Sequence, residues 1–177
     1  MPPPKTPLTS AANRPDRSLS TADLFDEFEE RCWSCPVQFI QYGGRRVFSG
    51  AIRTVECRED NALLRSVLET PSSGEVLVVD GGGSVSAALL GDVVAKIAAR
   101  NGWSGVVIRG AVRDVRALAA IDFGVKALGS NPRRSAKRGE GFLGGEIVFG
   151  GVRFAPGQWL YSDDDGILVA DGPLPIR

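Results

Sequence analysis

Apolar positions along the chain change their spacing several times, and each change marks a predicted element. Ser20-Thr-Ala-Asp23 has the form of a capping-box start, and Leu24, Phe25 and Phe28 give the next segment one apolar face, which predicts a helix ended by Trp33 and Pro36. Val47 to Cys57 alternates and is rich in β-branched residues, so it reads as a strand. Asn61 is placed to cap a short helix carrying Leu63, Leu64, Val67 and Leu68, and Pro71 to Gly74 form a turn. Glu75 to Asp80 reads as a strand. From Val85, the positions Val85, Leu89, Val93 and Ile97 recur every four residues, with Leu90 and Val94 widening the stripe; this predicts a helix that Asn101-Gly102 terminates.

Gly105 to Arg109 is the next buried strand, and Val115 to Ala120 a short helix packed by Val115, Leu118 and Ala119. Strand, helix, strand, helix predicts a right-handed parallel crossover at the centre. Pro132 to Gly144 is Gly-rich and basic, an exposed loop. Glu146 to Phe154 reads as a hairpin about Gly150-Gly151, and "QWLYSDDDGILVA" as two short strands around an Asp-Asp-Gly turn. The expected class is mixed α/β, without internal repeats. Residues 1–19, rich in Pro, Ser and Arg and without apolar periodicity, are expected to be a disordered tail, and 20–177 a single domain.

Composition narrows the function. A chain of 177 residues suits one domain that buries about 70% of its unfolded surface. Twenty-one basic and twenty-one acidic residues cancel, so neither direct nucleic-acid binding nor attraction to a membrane is implied. No apolar run approaches the roughly 18 residues of a membrane span, which predicts a soluble, cytoplasmic protein. The acid-poor tail faintly resembles an organelle transit peptide, but Pro2, Pro3, Pro4, Pro7 and Pro15 oppose the amphipathic helix such a peptide needs. Histidine is absent, which removes most catalytic triads and transition-metal sites. Cys32-Trp-Ser-Cys35 matches C-x-x-C, but it closes a helix rather than following a strand, and Cys57 leaves a zinc set short of its fourth ligand; structural thiols are expected.

Two stretches carry candidate chemistry. Asp80-Gly81-Gly82-Gly83-Ser84 lies where a strand ends, and reads either as a tight turn or as a loop whose amides hold a carboxylate. It lacks the third small residue of a dinucleotide fingerprint, since position 86 is Ser86, and it has no Walker lysine. Arg113-Asp114 reads either as a surface helix cap or as half of a site shared with Asp92, because loops at the carboxyl ends of adjacent parallel strands meet in one crevice.

"VLVVDGGGS", the Gly-Asp at 91–92, "NGWSGVVIRGAVRD" and "GQWLYSDDDGILV" together resemble the family of the regulator of ribonuclease E activity A, over about residues 20 to 175. That family includes the 4-hydroxy-4-methyl-2-oxoglutarate aldolases, divalent-metal pyruvate aldolases with a secondary oxaloacetate decarboxylase activity. The resemblance implies a compact mixed α/β domain with a β-rich core, of the swivelling β/β/α kind, assembled as a homotrimer. It implies that Asp114 binds Mg²⁺ or Mn²⁺ directly, that Asp92 does so through water, and that Arg113 contacts the keto oxygen of a small 2-oxo acid. Gly82, Gly83 and Ser84 would bind the substrate carboxylate, with Lys137 a basic catalytic group at the cleft. A hard cation with oxygen ligands can polarise a 2-keto group, and cleavage then leaves a pyruvate enolate stabilised by metal and Arg113.

The aldolase pattern places an acid three residues after its aspartate, where this chain has Ala117, and a further acid beyond the position of Arg177. Losses of about 10–100-fold accompany missing outer partners of a metal, so weak turnover is expected. The same family implies an alternative: a non-catalytic regulator that binds a ribonuclease E-type ribonuclease or its RNA helicase partners. Arg133-Arg134-Ser-Ala-Lys137-Arg138 also reads as a loop touching RNA, but it lacks interleaved aromatics. The "SDDDG" turn lacks the spaced oxygen ligands of a calcium loop.

Overall fold

A computed structural model of the protein describes residues 20–176, so the expected tail over 1–19 lies outside the described residues. Helix α1 (Thr21–Phe28) starts as the pattern predicts, with the Ser20 hydroxyl accepting the Asp23 amide at 3.3 Å. It ends sooner than expected. A single 3₁₀ turn leads into strand β1 (Cys32–Ser34), so the predicted helix end is extended chain, held by antiparallel pairing with β12 (Ile167–Ala170). Strand β2 (Ile40–Gln41), which no local pattern marks, is followed by β3 (Phe48–Glu56) and α2 (Ala62–Leu68).

The chain continues through β4 (Val76–Asp80), β5 (Ala88–Leu90), α3 (Asp92–Arg100), β6 (Gly105–Val112), α4 (Val115–Leu118) and β7 (Gly124–Ser130). Then come β8 (Phe142–Leu143), β9 (Ile147–Phe149), β10 (Val152–Phe154) and β11 (Trp159–Ser162), which turns into β12. The helix predicted from Val85 is corrected: its first half is a turn and the three buried residues of β5, and Gly91 stands immediately before α3. Spacing of four was met by chance across a strand–turn–helix boundary. The expected loop at Pro132 to Gly144 contains β8, which pairs with β3.

Strands β3, β4, β6 and β7 lie side by side and parallel, with α3 carrying the crossover from β4 to its neighbour β6. Alternate residues of this sheet feed two cores. Leu77, Val79, Val106 and Ile108 face Leu64 and Leu68 of α2, Val94 and Ala98 of α3 and Leu118 of α4. Val76, Val78 and Val107 face Phe149, Val152 and Phe154 of the β9–β10 hairpin, giving a layer of helices, a central sheet and a second β layer. Truncating a fully buried residue such as Ile108 to alanine costs about 2–5 kcal/mol. The hairpin turns on Gly150 (φ +59°) and Gly151 (φ +73°), the pair of left-handed residues that a two-residue turn requires. No described helix is long and apolar enough to cross a membrane.

Candidate active site

Four segments that follow the carboxyl ends of parallel strands converge on one cleft of about 210 Å³. Asn61 and Arg65 come from the region after β3, Gly91 and Asp92 from the end of β5, Arg113 and Asp114 from the end of β6, and Arg134, Ser135 and Lys137 from beyond β7. The wall segments are tied by backbone bonds: the Arg113 amide donates to Leu90 at 2.9 Å, and Ala88 donates to Arg133 at 2.7 Å. Asp92 thus reaches the cleft because α3 begins with it, so its carboxylate sits in the first turn rather than midway along a helix.

Arg113 and Asp114 lie side by side, Nε to Oδ2 at 3.6 Å, each side chain 42% exposed. Asp114 occupies the residue before α4, yet its side chain makes no capping bond and its backbone is left-handed at φ +57°, ψ +40°. A helix cap would instead have extended backbone and an oxygen on the first-turn amides. Strained non-glycine backbone of this kind collects at sites where a side chain is being aimed. The Asp92 carboxylate accepts from Lys96 Nζ at 2.6 Å, and that bond, with the charge of Lys96, holds it below the usual carboxylate range.

The cleft wall carries four cations, Arg65, Arg113, Arg134 and Lys137, against two carboxylates, Asp92 and Asp114. A chain of zero net charge therefore concentrates positive charge here, the setting for an anionic ligand. Two residues of the same lining, Asn61 and Ser135, have buried oxygens, Oδ1 and Oγ, with no hydrogen-bond partner within the protein. Buried polar atoms are nearly always satisfied, so each of these oxygens calls for a partner, a water or a small ion, beyond the protein's own groups. Asn61 was readable in the sequence only as a cap. Its side chain makes no capping bond; the carboxylate of Asp60, one residue earlier, accepts the Ala62 amide at 3.0 Å. Arg65 and Ser135 carry no such signal in the sequence, whereas Gly91 stands in the Gly-Asp motif at 91–92.

The glycine loop takes a different position from the one expected. Gly82 borders a neighbouring hollow of about 310 Å³ with Arg58, Asp80 and Phe142, and Gly82, Gly83 and Ser84 do not line the Asp114 cleft. Their amides are already engaged: Gly82 with Asp80 Oδ1 at 2.8 Å, Gly83 with Arg109 O at 3.0 Å and Ser84 with Gly81 O at 3.3 Å. Asp80 is further held by Arg109 at 3.0 Å, and Ser84 Oγ donates to Glu59 at 2.7 Å. Within one chain the loop behaves as a tight turn.

Among the described residues no group of three or more His, Cys, Asp or Glu side chains is gathered to hold a metal. Asp92 and Asp114 still suit a hard cation such as Mg²⁺, which is commonly held by one or two carboxylates while keeping several waters. They do not suit a closed zinc site. The cysteines are structural: Cys32 packs with Leu24 and Leu168, Cys35 with Phe48 and Phe149, in separate cores, and all three are free. Burial raises each thiol above its ordinary value, and burial with Asp60 and Asp80 nearby pushes Cys57 up to about 12.

Fold and cleft together define an α/β protein that presents an arginine–aspartate site where parallel strands end. The chain belongs to the RraA-like family, whose Aldolase/RraA pattern matches residues 21–169. A Geobacillus kaustophilus structure described as S-adenosylmethionine: 2-dimethylmenaquinone methyltransferase is 48% identical over 88% of this chain and 96% of that one, with a TM-score of 0.86. The RNA-processing inhibitor RraA from Thermus thermophilis is 43% identical over 89% and 96%, with a TM-score of 0.85. Streptomyces coelicolor RraAS2, described as an unusual member of the RNase ES inhibitor RraA family, is 29% identical over 89% and 86%, at 0.69.

Proposed function

We propose that the cleft is the active site of a divalent-metal-dependent pyruvate aldolase of the 4-hydroxy-4-methyl-2-oxoglutarate type, which also decarboxylates oxaloacetate. The observation that carries this reading is the gathering of Arg113, Asp114, Asp92 and Lys137 in one electropositive cleft whose lining also includes Asn61 and Ser135, each with an orphaned polar atom. Asp114 and Asp92 would hold Mg²⁺ or Mn²⁺, Asp92 through water. The bound ion would supply polarisation of the 2-keto group.

The rest follows from this chain's own residues. The positive end of α3 faces the cleft at Asp92 to Val94 and suits the carboxylate next to the ketone, although the Asp92 carboxylate itself interacts with the Asp92 and Val93 amides. It takes the part that sequence reasoning gave to the glycine loop. Arg113 donates to the keto oxygen as carbon–carbon cleavage leaves an enolate, an interaction that strengthens as charge develops and so lowers the barrier. Lys137 and Arg134 line the same cleft and suit the second carboxylate of a 2-oxo diacid. With Ala117 in place of the outer acid, turnover is expected to be weak.

A second reading is a homotrimeric inhibitor of a ribonuclease E-type ribonuclease or of its RNA helicase partners; its ribonuclease part is favoured by the Thermus relative's description as an RNA-processing inhibitor and the Streptomyces relative's as a member of an RNase ES inhibitor family. The deciding experiment is pyruvate release from oxaloacetate and from 4-hydroxy-4-methyl-2-oxoglutarate with Mg²⁺, Mn²⁺ or chelator, for wild type beside Asp114→Ala. Metal-dependent release that vanishes in the variant supports the enzyme. Release no faster than the metal-only blank overturns it in favour of the inhibitor.

A further inference from the structure

We infer that Asp60 is the positioning residue of this cleft, setting the place of Lys137 without touching the ligand itself. The inference rests on the reading of the cleft as a 2-oxo diacid site. Asp60 is completely buried, and its carboxylate accepts the backbone amides of Ala62 at 3.0 Å, Arg138 at 2.6 Å and Gly139 at 3.3 Å, with the Glu140 amide also directed at it. The first begins α2, which carries Arg65 into the cleft; the others belong to the basic loop just after Lys137.

The loop is held just before Lys137 as well. Asn61 donates to Ala136 at 3.0 Å and Ala136 donates back to Glu59 at 2.8 Å. Lys137 therefore stands between two fixed neighbours, Ala136 and Arg138, although its own side chain is exposed. A lysine on a free glycine-rich loop would sample many positions; here the backbone beneath it is bound on both sides to Glu59, Asp60 and Asn61. One buried carboxylate thus joins the start of α2 to the basic loop, two segments that both contribute side chains to the cleft. A displacement of about 1 Å at such a site can cost up to about 100-fold in rate, so the arrangement matters to function and not only to folding.

The test is a double-mutant cycle of Asp60→Asn with Lys137→Met. It reads oxaloacetate kcat and KM, and binding of 2-oxoglutarate in the presence of Mg²⁺. That 2-oxo diacid has no carboxylate β to its ketone and is not decarboxylated. Asp60→Asn is expected to weaken 2-oxoglutarate binding about 10-fold and raise KM more than it lowers kcat, but to cost less than about 2-fold when Lys137 is already methionine. Equal losses in both backgrounds, or no loss in either, overturn the inference. If wild type binds 2-oxoglutarate but turns nothing over, the aldolase reading fails while the binding cycle still decides the role of Asp60. If wild type binds none, there is nothing to position and the inference falls too. Should Asp60→Asn not fold, hydrogen exchange of the wild type decides: slow exchange at the Arg138 and Gly139 amides, slower again with 2-oxoglutarate, supports the tether, and free-loop rates overturn it.

Discussion

A Cβ on Gly91 would stand 2.6 Å from Asp114 Oδ2 and 3.4 Å from Arg113 Nε. The backbone at Gly91 is extended, with φ at −132°, so alanine fits the chain itself and only the side-chain contact is at issue. Gly91→Ala is therefore expected to leave the unfolding midpoint nearly unchanged while displacing the Asp114 carboxylate and cutting metal-dependent pyruvate release about 100-fold. Unaltered release in a folded variant would show that Asp114 has no fixed station in the chemistry.

Asp114 also holds a left-handed backbone that its side chain does not repay with a capping bond. Glycine adopts that conformation without strain, and the half-exposed Arg113–Asp114 pair at 3.6 Å contributes little to folding. Asp114→Gly should match the wild type in chemical denaturation or exceed it by up to about 1 kcal/mol, while losing metal-dependent turnover entirely. A clear loss of stability would mean that Asp114 serves the fold.

Burial pushes the Asp60 carboxyl up, but the amides of Ala62, Arg138, Gly139 and Glu140 together outweigh it and hold the group below its ordinary value. A depressed carboxylate contributes stability that is complete above its unfolded pKa of about 3.9 and is lost as pH falls through the lower folded value. Wild type should exceed Asp60→Asn by about 1–3 kcal/mol at neutral pH, and the gap should narrow below about pH 4. Urea unfolding of both proteins across that range reads it directly; a gap independent of pH would contradict the carboxylate's role.

Far from the cleft, Asp163 accepts the Thr21 amide at 2.6 Å, the Thr21 hydroxyl at 2.7 Å and the Asp165 amide at 3.0 Å, while its carbonyl receives the buried Lys126 ammonium. The "DDDG" turn thus fastens α1 to the body of the protein. Asp163→Ala keeps the carbonyl that receives Lys126 but orphans the Thr21 and Asp165 donors, and should cost about 3 kcal/mol in denaturant unfolding, with pyruvate release per folded molecule unchanged. A parallel loss of release at full folding would link the turn to the cleft.

Local sequence sufficed where burial on both faces leaves an apolar run, as in Val76–Asp80 and Gly105–Arg109, but not for the continuation of the second strand to Val112, past the break at Arg109 and Gly110. It failed at Ala88–Leu90, three buried residues whose spacing from Val93 and Ile97 suits a helix equally well. It also failed at Cys32–Ser34 and Gly124–Ser130. The first is a strand only because β12 lies beside it, and the second carries Lys126, 2% exposed, in the middle of what would otherwise read as an apolar run. For the site, Arg113, Asp114, Asp92 and Lys137 were legible as residues, and the cleft contains all four. Asn61 and Ser135 were not, because an orphaned oxygen is a property of the packed molecule and has no pattern along the chain.

The nine residues of β3 divide their pairing: Phe48–Ala51 bond to β11 near the carboxyl terminus, and Ile52–Glu56 to β4 in the central sheet. One strand is thus a common beam beneath two ladders whose other members are far apart in sequence. The terminal hairpin cannot peel away without baring half of β3, and the central sheet cannot open without loosening the other half. Such a chain should melt as one cooperative unit, and it must close long loops before the beam is loaded from either side, which makes its folding slow.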